Sequence, residues 1–135
     1  MSADFRRQLN KAYEEKVLGT QEKVTRLIAL KVFNNIVENT PVDTGRARAN
    51  WNIDLNTVDV SLVDPSGMEG GSYDGTEKAL PVIGSYKLND TIYISNNLPY
   101  IRPLNDGSST KAPAGFVDAA VQIGVRQGKE LAKQS

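Results

Sequence analysis

Between residues 39 and 51 the hydrophobic pattern of this chain changes period, and that change limits what each half can become. Upstream, apolar residues recur about every four positions, the spacing of one face of a helix. Downstream they alternate, as in a strand covered on one face. Helix and sheet must therefore meet across a turn. The switch region, Asn39-Thr-Pro-Val-Asp-Thr-Gly-Arg-Ala-Arg-Ala-Asn-Trp51, carries suitable residues. Pro41 cannot continue a helix and biases Thr40 toward extended geometry, Asp43 and Thr44 can bond nearby backbone N–H groups, and Gly45 can take positive φ. The region is read as a shaped junction, with Trp51 as core anchor of the first strand.

Before the junction, Phe5, Leu9, Tyr13 and Val17 form one helical stripe, and the pattern resumes in phase through Val24, Leu27 and Ile28. The in-phase spacing predicts one long helix over residues 5–39, bent near Gly19, roughly 50 Å long. From Leu27 to Val37 almost no face is wholly polar, so this half is expected to be buried on most sides. The charged half has a narrower stripe. Two readings stay open for it: contact with a neighbouring subunit, or packing on the chain's own C-terminal helix.

After the junction, Trp51, Ile53 and Leu55 alternate with polar residues expected to face water, and Val58, Val60 and Leu62 alternate in the opposite parity. A bulge across Asn56 and Thr57 in one strand over 51–62 accommodates that shift. Residues 64–75, rich in glycine, form a long surface loop, either an assembly contact or a mobile excursion. A weak helix follows over 76–87, despite Pro81 and Gly84, and a second strand over 90–95. Residues 96–107 open with a turn capped by Asn97, and Pro103 prevents a helix of any length there. Pro113 suits the first turn of a closing helix with a stripe of Phe116, Ala120, Ile123 and Leu131, bordered by Val117 and Val121, and the polar tail 128–135 is expected to fray. The expected fold is α+β, one domain over 1–135, with a long N-terminal helix and a C-terminal helix packed on a small, mostly antiparallel sheet.

Composition removes several function classes. The 135 residues include no cysteine and no histidine, which closes the usual nucleophile–base triads, thiolate zinc sites and most transition-metal sites. Sixteen basic residues balance sixteen acidic ones, so no overall field draws the chain onto nucleic acid or an anionic membrane. No apolar stretch approaches a membrane span and residues 1–7 lack a signal core, so the chain is expected to be soluble and unprocessed. No glycine pattern matches a phosphate cradle. No catalytic residue, metal ligand or cofactor site is expected.

Two weaker constellations remain. Arg46, Arg48 and Arg102 could serve a small nucleic-acid-binding module through phosphate contacts, or pair with carboxylates of the fold or of a partner. A carboxylate-dependent hydrolase would need two of Asp43, Asp54, Asp59, Asp64 and Asp106 to converge, although solvated surface carboxylates are the simpler reading of the first strand's aspartates.

Two segments together resemble a known family. The first runs Thr40-Pro-Val-Asp-Thr-Gly-Arg-Ala-Arg-Ala-Asn-Trp51; the second comprises Ile94-Ser-Asn-Asn-Leu-Pro-Tyr100, Leu104-Asn-Asp-Gly-Ser108 and Ala112-Pro-Ala-Gly-Phe116. They are similar to the two blocks of the tailed-bacteriophage neck proteins, also described as minor tail, tail-completion or head-tail joining proteins. The chain departs from the family at Leu104-Asn105-Asp106-Gly107, where Leu-Glu-aromatic-Gly is usual, while Tyr100 and Gly107 match. The resemblance implies a structural, non-enzymatic virion subunit, made in the bacterial host cytoplasm and located at the neck. It would form a homo-oligomeric, six-fold ring that joins tail to head beside connector, head-closure and tail-terminator proteins. Genomic DNA would pass its lumen without specific binding, and no membrane is involved. Expected interface residues are Arg46, Arg48, Tyr100, Arg102, Asp106 and Gly107, with Pro41, Asp43, Thr44, Gly45 and Trp51 serving turn and core.

Overall fold

The computed structural model describes residues 3–13, 19–40, 46–62, 76–107 and 114–134. Its elements are α1 (Ala3–Tyr13), α2 (Gly19–Asn39), α3 (Arg46–Ala49), β1 (Trp51–Leu55), α4 (Thr76–Ser85), β2 (Ile92–Asn96), α5 (Ile101–Asn105) and α6 (Phe116–Gln134). The fold is α+β, with the two strands paired antiparallel and α2 packed along α6. Continuity of α1 with α2 lies outside the described residues, as do Pro41, Asp43, Thr44 and Gly45 and the loop 64–75.

α2 and α6 approach so closely because α6 carries no side chain where they touch. A Cβ placed on Gly124 would stand 2.5 Å from the Cα of Val32, and one on Gly128 would stand 2.5 Å from the Cα of Ile28. Ala120, Gly124 and Gly128 lie one turn apart, so the small residues line a single seam, and the two helices run antiparallel along it. The stripe expected on α6 is thereby corrected. Its buried residues are Phe116, Ala120, Gly124 and Gly128, with Ile123 and Leu131 only partly covered. The tail does not fray at residue 128 either, because Gly128 is itself a buried contact and the helix runs on to Gln134.

From Leu27 to Val37 α2 is covered on most sides, as expected, since none of these residues is exposed. Ala29, Val32, Phe33, Ile36 and Val37 enter the core, while Leu27, Ile28 and Leu30 are partly covered. Trp51 and Ile53 from β1 and Ala79 and Ile83 from α4 complete that core. α4 forms despite Pro81, whose absent N–H removes one bond in a short helix. On α1, Phe5 and Leu9 are about half exposed.

β1 pairs with β2 from Trp51 opposite Asn96 to Leu55 opposite Ile92. The expected long strand stops there, because Asn56 turns to φ 63°, a left-handed conformation that asparagine tolerates better than most residues. Asn56 closes the sheet end by donating its N–H to Thr91 O at 2.7 Å and accepting the Thr91 N–H on its side-chain oxygen at 2.9 Å. Residues 58–62 consequently leave the ladder, and no bulge is needed. They return across the sheet face that carries Asn52, so the polar face of β1 is also covered: Asn52 is 1% exposed.

Candidate functional site

The region of interest begins at the C-terminal end of α2, whose last carbonyls lack helical partners. Arg48 supplies them, donating from Nε to Thr40 O at 3.1 Å and from Nη2 to Glu38 O at 2.7 Å. A cation at this end also complements the helix dipole. The buried Thr40 hydroxyl donates to Ile36 O at 2.6 Å and accepts the Trp51 indole N–H at 2.8 Å. Trp51 is thus the core anchor expected, with its polar atom satisfied. Arg48, expected at an interface, is engaged within the chain with the end of α2.

α3 is held by its neighbours. Asn50 donates its backbone and side-chain N–H groups to Arg46 O. Asn96, at the end of β2, donates from Nδ2 to Ala47 O at 3.0 Å. Lys78 of α4 donates to Ala49 O at 2.9 Å, Trp51 O at 3.0 Å and Asn52 Oδ1 at 3.4 Å, which uses all three ammonium protons. Burial pushes the Lys78 pKa down, opposed by the charge of Asp59.

A second polar cluster lies on the Asn52 face of the sheet. The carbonyl of Asp59 accepts from Asn97 Nδ2 at 2.7 Å, Ser95 Oγ at 3.1 Å and Asn52 Nδ2 at 3.4 Å, and Ser61 O accepts from Asn52 Nδ2 at 3.2 Å. The Asp59 carboxylate accepts the Ser61 hydroxyl and backbone N–H, and these bonds lower its pKa from the usual carboxylate value. The turn after β2 is capped by Asn96, whose Oδ1 accepts the Leu98 N–H at 3.1 Å, rather than by Asn97, which is turned toward Asp59.

The second sequence block continues into α5, whose five residues accommodate Pro103 within a single turn. Asn105 receives the start of α6: its backbone oxygen accepts the Gly115 N–H at 2.6 Å and its Oδ1 the Val117 N–H at 3.0 Å. The side-chain oxygen thus satisfies one of the helix's orphan donors. Gly107, at φ +99°, takes the left-handed turn between them and passes Ala114 so closely that a Cβ would stand 3.2 Å from the alanine Cβ.

Trp51, Ile101, Arg102, Asn105, Asp106 and Val117 line an open cleft of about 410 Å³. The structure therefore brings Arg102, Asp106 and Trp51 to one place, with Tyr100 and Gly107 bracketing the same short helix. Arg46 stands exposed on α3. Of the carboxylates named for hydrolysis, Asp43 and Asp64 lie outside the described residues. Asp54 accepts the N–H of Leu55, Asp59 is engaged with Ser61, and Asp106 lines the cleft. Among the described residues no group of three or more carboxylates could hold a metal ion, and no helix is long and apolar enough to cross a membrane.

The reading of residue types gave no bonding role to Asn52, Asn96, Lys78 or Asn105 and made Asn97 the turn cap. For Asn96 and Asn97 the signal was the pair of asparagines at the end of the second strand, where side-chain amides can replace missing ladder partners. Comparison with protein families, with curated proteins and with solved structures finds no match. The likeness to phage neck proteins rests on the two sequence blocks alone.

Proposed function

We propose that this chain is a non-enzymatic subunit of a phage neck, one copy of a ring that joins tail to head. The observation supporting this reading is that the two blocks carrying the resemblance, distant in sequence, form one structural unit. Trp51 pairs opposite Asn96, Asn96 bonds Ala47, and Asn105 with Gly107 docks the start of α6. Where the family usually has a glutamate, Asn105 retains a side-chain oxygen that accepts a helix N–H. The departure therefore preserves an acceptor at that place. Phe5 and Leu9 on α1, each about half exposed, suit a subunit completed by its neighbours.

The test is removal of the gene from the phage that encodes this chain, followed by imaging of particles. The expected outcome is DNA-filled heads without stably joined tails, restored when the chain is supplied in trans. Normal yields of tailed, infectious particles would overturn the proposal.

A further inference from the structure

The two edges of the sheet end differently. One step past the last ladder pair, the Asn56 N–H reaches Thr91 O, and this bond fixes which residues bond across the ladder. They are Asp54 with Tyr93 and Asn52 with Ser95, so Ile92, Ile94 and Asn96 turn their N–H and C=O groups away from β1, and Trp51, Ile53 and Leu55 turn theirs away from β2. The β1 edge is blunted: Lys78 of α4 donates to Trp51 O at 3.0 Å, and the Asp54 carboxylate accepts the Leu55 N–H at 2.7 Å. On the β2 edge no described residue bonds the outward groups of Ile92 or Ile94. The usual edge protection is missing too, since residues 91–97 contain no charge and no proline.

Beside that edge the core is open. Thr25, Ile28 and Val32 of α2, with Tyr86, Ile92 and Ile94, line a cleft of about 370 Å³. Ile92 and Ile94 share the sheet face of Trp51 and Ile53, so the cleft continues the core past β2. An unpaired backbone edge over an apolar cleft is what an added strand requires: ladder bonds for its backbone and cover for alternate side chains. Charge selects which strand. The one charged residue lining the cleft is Asp90, whose carboxylate already accepts the Lys87 N–H and an Asn56 amide proton. A charged peptide would therefore find no counter-charge, and the occupant must be uncharged and extended with a free edge. Among the described residues β2 itself meets that need. The β1 edge is blunted by Lys78 and Asp54, and residues 58–62 carry Asp59 and are held to the sheet by their carbonyls.

We propose that β2 of one copy pairs antiparallel with β2 of a second copy of this chain, across a two-fold axis at Ile94, joining the two sheets into one. In that register Ile94 bonds its own counterpart and the outward groups of Ile92 meet those of Asn96. Asp90 falls opposite Leu98 of the second copy, so no like charges face each other. The axis stands perpendicular to the sheet, which places α2 of both copies over one face and brings the two clefts together. Such a contact is isologous and stops at two copies, unlike the head-to-tail contact of a ring, so it goes beyond the neck reading and does not depend on it.

Residue-resolved amide hydrogen exchange on the unaltered full-length chain, run beside sedimentation over a range of concentrations, tests the pairing. The Tyr93 and Ser95 amides, bonded to β1, should be slow throughout. The Ile92 and Ile94 amides should be fast in the dilute monomer and slow as dimer forms, roughly tenfold where about 90% of chains are paired. The chain contains no cysteine, so a disulfide can then report the register. Full-length Tyr93→Cys and Ser95→Cys variants, each checked for an unchanged melting curve, would be mixed and mildly oxidised, and the 93–95 heterodimer should exceed either homodimer. Either homodimer in excess, or no cross-link, overturns the pairing at Ile94. Ile92 and Ile94 amides already slow in the dilute monomer overturn it as well, because the chain would then cover its own edge. A chain that stays monomeric at millimolar concentration with both amides fast overturns it and leaves the edge to a strand of another protein. Oligomers in which both amides stay fast overturn it while leaving the ring reading, tested by the gene deletion, untouched.

Discussion

Residues 51–55 and 58–62 are adjacent and both alternate apolar with polar side chains, yet the fold turns them in opposite senses. In β1, Trp51 and Ile53 enter the core formed with α2, and Asn52 is buried on the other side. In the second segment the apolar residues face outward and the backbone is held by amides and a hydroxyl. Periodicity thus identifies two faces but does not decide which is covered. Partners decide it: β1 has a helix behind it and β2 beside it, whereas residues 58–62 meet a sheet face already occupied by asparagine and serine.

The sharpest way to break this contrast is to truncate one apolar residue from each segment and compare thermal or denaturant unfolding. Trp51→Ala should cost about 3 to 5 kcal/mol, since it empties a core position and leaves the Thr40 hydroxyl without its indole donor. The helix seam offers a second covered region. Gly124→Ala should gain about 1 kcal/mol in helix propensity if local preference ruled. Instead it should lose about 1 to 3 kcal/mol, because the added carbon meets the backbone of Val32.

Arg48→Glu comes next, at about 1.5 to 3 kcal/mol, because it removes charged donors from two carbonyls at the end of α2 and places a carboxylate at the negative end of the helix. An unchanged unfolding curve with failed assembly would return Arg48 to the interface. Val60→Ser should alter the stability of the isolated chain by less than about 0.5 kcal/mol, since its side chain is mostly exposed. A large loss would mean that this chain covers its own stripe.

The smallest effect is on acidity. The Asp59 pKa is lowered, so its stabilising contribution is present above the unfolded carboxylate pKa and lost as pH falls through the folded one. Hydrogen exchange at the Ser61 amide should quicken over that acid window and remain level above it.

Much of the architecture was legible because it follows local period: the α+β class, the start of the first strand at Trp51, a second strand expected over 90–95 and found at Ile92–Asn96, a helix expected over 76–87 and found at Thr76–Ser85, and Trp51 as core. What escaped depended on partners remote in sequence. Asn52 was read as solvent-facing because polarity was equated with exposure, although a returning segment can bury an amide and satisfy it. The reach of Arg48 back to Thr40 and Glu38 was not foreseen because it depends on the intervening chain path. Gly124 was given no role and Gly128 was placed at the start of a fraying tail, yet their spacing with Ala120 marked a face made for close approach. For the candidate site, Arg102, Asp106 and Trp51 were named from sequence, while the asparagines that hold the junction were not.

The bare seam on α6 has a genetic consequence. Every missense codon at position 124 or 128 introduces at least one carbon, directed at the main chain of α2 rather than at a side chain able to swing aside. Neither site has a conservative neighbour in the genetic code. In a saturation library selected for folded protein, both positions should retain synonymous changes and little else, whereas the exposed Gln122 and Arg126 codons on the same helix should drift freely.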